Sequence, residues 1–205
     1  MRVKYLGHAC FLLADEKFSI IVDPFRDIGY ELDFPHADFC ICSHSHFDHC
    51  ATEKVVVKEI ITEDNISLFP QIKVVSSFHD EVLGKKRGVN NVFVIEIGGY
   101  RVCHMGDLGE PLNENIVSQI GKIDLLLIPV GGNYTIDAKQ AFNYVKALGV
   151  KGVVPMHYKT PRSNIEIAKK GEFLQNFTHV KSVGAEFEFE SSNEVTVYDV
   201  DDSNF

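Results

Sequence analysis

The chain predicts an α+β fold, two β-sheets with helices on their outer sides. The first half breaks into short apolar runs separated by turns, and the second half alternates such runs with helical periodicity. The length of 205 residues fits one domain, residues 1–205, large enough to bury a sizeable core.

Taken in order, Met1 to Leu6 is strand-like, followed by compact apolar runs at Ala9 to Ala14, Phe18 to Asp23 and Asp38 to Ser43. Further strands are expected at Ile72 to Phe78, Asn91 to Ile97 and Tyr100 to His104, with Gly98-Gly99 as a hairpin signal. Asp124 to Val130 reads as a buried strand. Asp137 to Leu148 places Ala141, Val145 and Leu148 on one stripe, an amphipathic helix that Gly149 stops. Val150 to Pro155 is another strand, a short helix is expected from Ser163, and Glu194 to Asp199 closes the chain as a strand.

A formal net charge of -9 repels phosphate backbones, which disfavours partnership with long nucleic acid. No apolar run approaches the roughly 18 residues of a membrane span, and no leader-like segment opens the chain. Five cysteines, an odd number, do not resemble a secreted disulfide framework, so a cytoplasmic location is the expectation. Cys40, Cys42, Cys50 and Cys103 fit small buried hydrophobes better than ligands.

The informative stretch is Ser43-His44-Ser45-His46-Phe47-Asp48-His49, where a buried strand gives way to four ligand-type residues within six positions. Imidazole and carboxylate are the usual protein ligands of zinc and similar divalent ions. His44 and His46, two residues apart, point the same way on an extended segment and can grip one ion. Asp48 and His49, past the turn, can address a second ion beside it. With 9 histidines in 205 residues, a chance H-x-H-x-D-H arises on the order of once in a thousand such chains. Three other apolar runs end in a residue of the same kind: His79, Asp107 and His157. One shared site at the strand ends accounts for all of them.

In motif order over nearly the whole chain, these residues resemble the metallo-β-lactamase superfamily. Asp23 matches its first motif, His44 to His49 the second, His79 the third, Asp107 the fourth and His157 the fifth. Gly7-His8-Ala9, Gly106-Asp107, Ile128 to Gly132, Thr135 to Ala138 and Pro155 to Tyr158 resemble one branch, proteins similar to L-ascorbate-6-phosphate lactonase and small metal-dependent hydrolases. The resemblance implies a four-layer αβ/βα sandwich with two metal ions at one edge. It implies His44, His46 and His79 on the first ion, Asp48, His49 and His157 on the second, and Asp107 between them. Zinc is the first expectation for so histidine-rich a set, and manganese, iron and nickel also accept it.

Two divalent ions acidify a shared water towards neutrality, so hydrolysis needs no serine or cysteine nucleophile. The expected activity is cleavage of a small ester, lactone or related substrate, with a phosphorylated one admitted. The alternatives are cleavage of a small phosphodiester and an iron-dependent redox role. The flavodiiron type carries glutamate where this chain has His46, which weighs against the last. Asp48 is expected to orient the water. His8 and His104 are candidates for proton transfer, for hydrogen bonding to a ligand or for satisfied core histidines, and Tyr134 and Tyr158 fit packing residues. Lys85-Lys86-Arg87 either clamps an anionic group of a small-molecule substrate or forms a solvated turn. Oligomeric state stays open.

Overall fold

A computed structural model describes residues 1–29, 32–203 and 205. Two sheets face each other. The first is built from β1 (Arg2–Gly7), β2 (Cys10–Ala14), β3 (Ser19–Val22), β4 (Ala37–Ile41) and β5 (Val57–Ile61), and β12 (Glu186–Glu188) joins at the free edge of β1. β1 to β3 are antiparallel, whereas β3, β4 and β5 run parallel.

The second sheet has the order β11-β13-β10-β9-β8-β7-β6. Its antiparallel part is β6 (Ile72–Phe78), β7 (Val89–Ile97) and β8 (Tyr100–His104). Its parallel part adds β9 (Leu125–Pro129), β10 (Gly152–Met156), β13 (Thr196–Val200) and β11 (Val180–Val183). Every residue of β2, β9 and β10 is buried, as expected for strands covered on both faces. One hydrophobic cluster runs from Val3 and Phe11 of the first sheet to Val94, Leu126 and Val154 of the second.

The helices are few. α1 (Glu114–Ile120) packs against β6, and α2 (Ala138–Leu148) packs against β9, α1 and α3 (Gly171–Leu174). Earlier in the chain the only helical segments among the described residues are the single 3₁₀ turns Thr52–Lys54 and Ile66–Leu68. The α+β sandwich therefore holds, with its α-helices gathered in the second half of the sequence. No helix of the described residues is long and apolar enough to cross a membrane.

The local signals act as their chemistry requires. Gly98 and Gly99 take φ of 60° and 79°, which lets β7 turn directly into β8. Asp137 caps α2 by accepting from the Gln140 backbone while the Gln140 side chain accepts from Asp137, and Gly149 ends the helix at φ 59°. The helix expected from Ser163 does not form. Residues 161–170 make a strap in which some backbone donors reach distant segments and others, such as Ile165 N to Ser163 Oγ, bond locally. Asn164 N donates to Ile28 O, and Ala168 N donates to Gly131 O, at 3.0 and 2.8 Å. Strands β5, β11 and β12 and helix α1 lie outside the elements expected from the sequence, and all are short.

Candidate metal centre

The parallel strands β3 and β4 end side by side, and the segments that follow them meet those leaving β6, β8 and β10. Asp23, just past β3, is fully buried. Its carboxylate accepts from Ser43 N at 2.7 Å and Ser43 Oγ at 2.6 Å, and it pairs with His49 Nδ1 at 2.9 Å. Burial opposes its ionisation, but the His49 contact and the neighbouring imidazoles outweigh that and hold its pKa low. With Nδ1 engaged, His49 turns Nε2 to the centre. His44 and His79 are set the same way: Nδ1 of His44 lies 2.9 Å from Ser43 Oγ, and Nδ1 of His79 lies 3.1 Å from the Tyr134 carbonyl.

Asp107 arrives from the other sheet. Gly106 before it has φ 53°, and a Cβ there would stand 2.3 Å from Asn90 Oδ1 and 2.7 Å from Ser43 Cβ, so only glycine fits this turn. Asp107 N donates to that same Asn90 Oδ1 at 2.8 Å, and Asn90 Nδ2 is anchored on Ser77 Oγ and Met105 O. The carboxylate sits at the middle of the cluster. Its Oδ2 lies 3.0 Å from His79 Nε2, 3.3 Å from His157 Nε2 and 4.0 Å from His44 Nε2, and its Oδ1 lies 3.1 Å from His49 Nε2.

The ligand-type atoms fall into three overlapping groups: His44, His46 and His79; His8, Asp48, His49 and His157; and His44, His49 and Asp107. Within each group all lie inside 4.8 Å of one another. All seven ligands expected from the sequence thus share one site, and His8 stands among them.

These residues fit divalent ions. Nε2 of His44, Nε2 of His49 and Oδ1 of Asp107 are buried without a hydrogen-bond partner. His49 Nε2 and Asp107 Oδ1 are 3.1 Å apart yet misaligned for a hydrogen bond. Ligands about 2.0–2.2 Å from one ion stand roughly 3 Å from each other, which is the spacing observed. Orphaned buried polar atoms are costly in any other setting.

The electrostatics agree. Burial holds the imidazoles of His44 and His8 neutral, with pKa values of about 3 and about 4, and His49 and His157 respectively add to the effect. Burial also lowers His46. His49 behaves oppositely: burial opposes its charge, but Asp107 and Asp23 outweigh it and hold its pKa well above the usual value. Burial likewise opposes ionisation of Asp107, which His157 and His49 keep well below the carboxylate range.

A cavity of about 480 Å³ opens onto the cluster. His46, Asp48, His79, Asp107 and His157 form its floor, and Phe47, Arg87, Tyr134 and the strap residues Asn164, Ile165 and Glu166 form its walls. A larger depression at Asp15, Lys17 and the Gly98–Gly99 hairpin contains none of the clustered ligands. Of the basic run, only Arg87 reaches the cavity wall; Lys85 is exposed outside it, and Lys86 pairs with Glu81. The cause is Asp80, which sequence reasoning missed. Burial opposes its ionisation, but its carboxylate accepts from the backbone of Val82, Gly84, Lys86 and Arg87, and its pKa falls to about 2. Those bonds fold residues 80–88 so that Arg87 faces inward, donating to Asn133 O at 3.2 Å with its guanidinium 5.3 Å from the Tyr134 ring. Tyr134 is therefore a wall residue rather than core packing.

Of the readings open for His104, its position favours a satisfied core histidine over proton transfer. It is fully buried, its Nε2 donates to Ala9 O at 2.8 Å, and its Nδ1 accepts from Gly106 N at 3.1 Å. Neither nitrogen is free, and the residue ties the Gly106 turn to the β1–β2 turn. Among the cysteines, Cys40 and Cys103 are buried as expected, Cys42 and Cys50 are half-buried, and none joins a ligand group.

The model of the Beta-lactamase superfamily domain matches residues 2–157, the span that supplies every clustered ligand. The chain belongs to the metallo-β-lactamase superfamily. Within this superfamily it is similar to a protein of Thermotoga maritima whose crystal structure is described as a Zn-dependent hydrolase, with 36% identity, a TM-score of 0.78 and 97% of each chain covered. It also resembles proteins described as metal-dependent hydrolases from Carboxydothermus hydrogenoformans, 26% identical over 78% of this chain and 85% of the relative, and from Methanospirillum hungatei, 27% identical over 92% and 99%.

Proposed function

We propose that this metallo-β-lactamase superfamily member is a metal-dependent hydrolase with a dinuclear site, acting on a small anionic ester, lactone or related carbonyl substrate. The observation that carries this reading is the gathering of ligand-type atoms into one group from His44, His46 and His79 and another that includes Asp48, His49 and His157, with Asp107 beside members of both. The descriptions of the relatives support the metal-dependent hydrolase part of it. Zinc is the first ion to test, followed by manganese, iron and nickel.

When bound, the ions supply a water acidified towards neutral pH and positive charge for the oxygen that becomes anionic. The residues do the rest. Asp48 lies on the cavity floor with its carboxylate ionised, placed to accept a hydrogen bond from the attacking water and fix its direction. Arg87, stacked near Tyr134, offers a guanidinium to a carboxylate or phosphate on the substrate. Phe47 and Ile165 add apolar surface to the cavity lining.

A cavity of about 480 Å³ suits a small molecule. A small phosphodiester is the second reading, because Arg87 serves a phosphate equally well. The test is a panel of lactones and esters, charged and neutral, set beside bis-p-nitrophenyl phosphate, using protein reconstituted with each ion. His46→Ala is expected to lose at least one ion per chain and nearly all turnover. Full metal content and activity in that variant would end this reading.

A further inference from the structure

His8 is the one clustered residue with no place in the seven-ligand site. We propose that it is an eighth ligand, completing the second site as His8, Asp48, His49 and His157 around the shared Asp107. The proposal rests on the dinuclear reading above.

Position is the first argument. His8 is buried between the sheets, and its Nε2 stands 3.3 Å from Asp48 Oδ2. A histidine that merely steadied Asp48 would approach that carboxylate from outside the cluster. Instead His8 lies within 4.8 Å of the ligand atoms of His49 and His157 as well, with its ring 4.2 Å from that of His157. The three histidines that are held by outer partners, His44, His49 and His79, show the local rule: Nδ1 meets the protein and Nε2 meets the centre. His8 presents Nε2 in the same sense.

Backbone strain is the second. His8 and His157 both adopt left-handed conformations, φ 57° and 50°, which only a few per cent of non-glycine residues take, although histidine is among those that take them more readily. The two strained residues are bolted together: His157 N donates to His8 O at 2.8 Å, and Tyr5 Oη donates to that same carbonyl at 3.1 Å. A shift of register between Tyr5 and Gly7 swings the β1–β2 turn inward to make this contact. Strain fixed from two sides, at a buried imidazole, marks a position that function requires.

The consequence is an asymmetric pair of sites. The first offers three imidazoles and the shared carboxylate, a set that suits tetrahedral zinc. The second would offer three imidazoles and two carboxylates, a set richer in oxygen that also suits manganese(II) or iron(II).

The experiment is a titration of metal-free protein with cobalt(II), comparing the unaltered chain with His8→Ala and His8→Gln by visible absorption and elemental analysis. Far-UV circular dichroism first establishes that each metal-free variant is folded, and His8→Gln carries the test if His8→Ala is not. The unaltered chain is expected to take two ions. The variants should keep the first and bind the second roughly tenfold or more weakly. At saturation their second-site bands should differ in position and intensity from those of the unaltered chain, as expected when an ion loses a ligand, and added imidazole should restore the original spectrum of His8→Ala. Two ions bound with spectra identical to the unaltered protein would overturn the role of His8 alone. A single ion in the unaltered chain would overturn the dinuclear reading and this proposal with it.

Discussion

At Asp23 a carboxylate that never reaches the cavity decides what His49 can do. It accepts a hydrogen bond from Nδ1–H, holds the ring, and leaves Nε2 facing Asp107. Replacing Asp23 by Asn keeps an acceptor for Ser43 N but weakens the grip on the imidazole. Affinity for the ion held by His49 should fall about 10–100-fold, as read by calorimetric titration, while the first site stays loaded. Arg87 permits a different separation. If it holds an anionic group, Arg87→Ala should raise KM for charged substrates about tenfold or more, the loss expected for a charge-assisted hydrogen bond, and leave neutral analogues unchanged. Lys86→Ala should do neither, since Lys86 is outside the cavity and paired with Glu81. Equal effects on charged and neutral substrates would remove Arg87 from substrate binding.

Among the elements, the turn between β8 and Asp107 has the least tolerance. The missing Cβ at Gly106 is occupied by Asn90 and Ser43, and its φ of 53° disfavours any L-residue. Gly106→Ala should cost at least about 2 kcal/mol in urea unfolding of the metal-free protein, from overpacking and strain. It should also displace Asp107 and reduce metal content. This turn shows why part of the site could be read from the sequence. His44 to His49, His79, Asp107 and His157 each follow an apolar run, so strand periodicity alone placed them at strand ends. What could not be read depends on contacts between distant loops. The inward swing of Arg87 comes from the Asp80 carboxylate gathering four backbone N–H groups, and nothing in Lys85-Lys86-Arg87 announces which side chain turns in. His104 borders the motif in sequence, yet both its ring nitrogens are spent on backbone. Similarly, in the stretch from Ser163 no helix forms: Asn164 N and Ala168 N serve Ile28 and Gly131, segments far away along the chain, and Ile165 N serves the Ser163 side chain.

For the molecule as a whole, the cluster makes stability a function of pH, and the sign differs on the two sides of neutrality. Consider the metal-free protein. The pKa of His8 drops to about 4 and that of His44 to about 3, against 6.5 in an unfolded chain. Below pH 6.5 the unfolded chain therefore binds protons that the folded one refuses, and the stability present above 6.5 is lost as pH falls towards those values. For His8 alone this is about 3 kcal/mol, at 1.36 kcal/mol per pKa unit. His49 has its pKa raised, so its contribution is complete below 6.5 and disappears as pH climbs through its folded value. Metal-free protein should accordingly have its highest melting temperature near pH 6.5 and lose it in both directions. Ion binding alters the alkaline side, because a ligating His49 must give up its proton, so affinity rises with pH and bound metal stabilises more. Thermal scans from pH 4 to 9, with chelator and with saturating metal, check this. The optimum should move to higher pH when metal is present, and the same optimum in both series would mean that His49 carries no proton for the ion to displace.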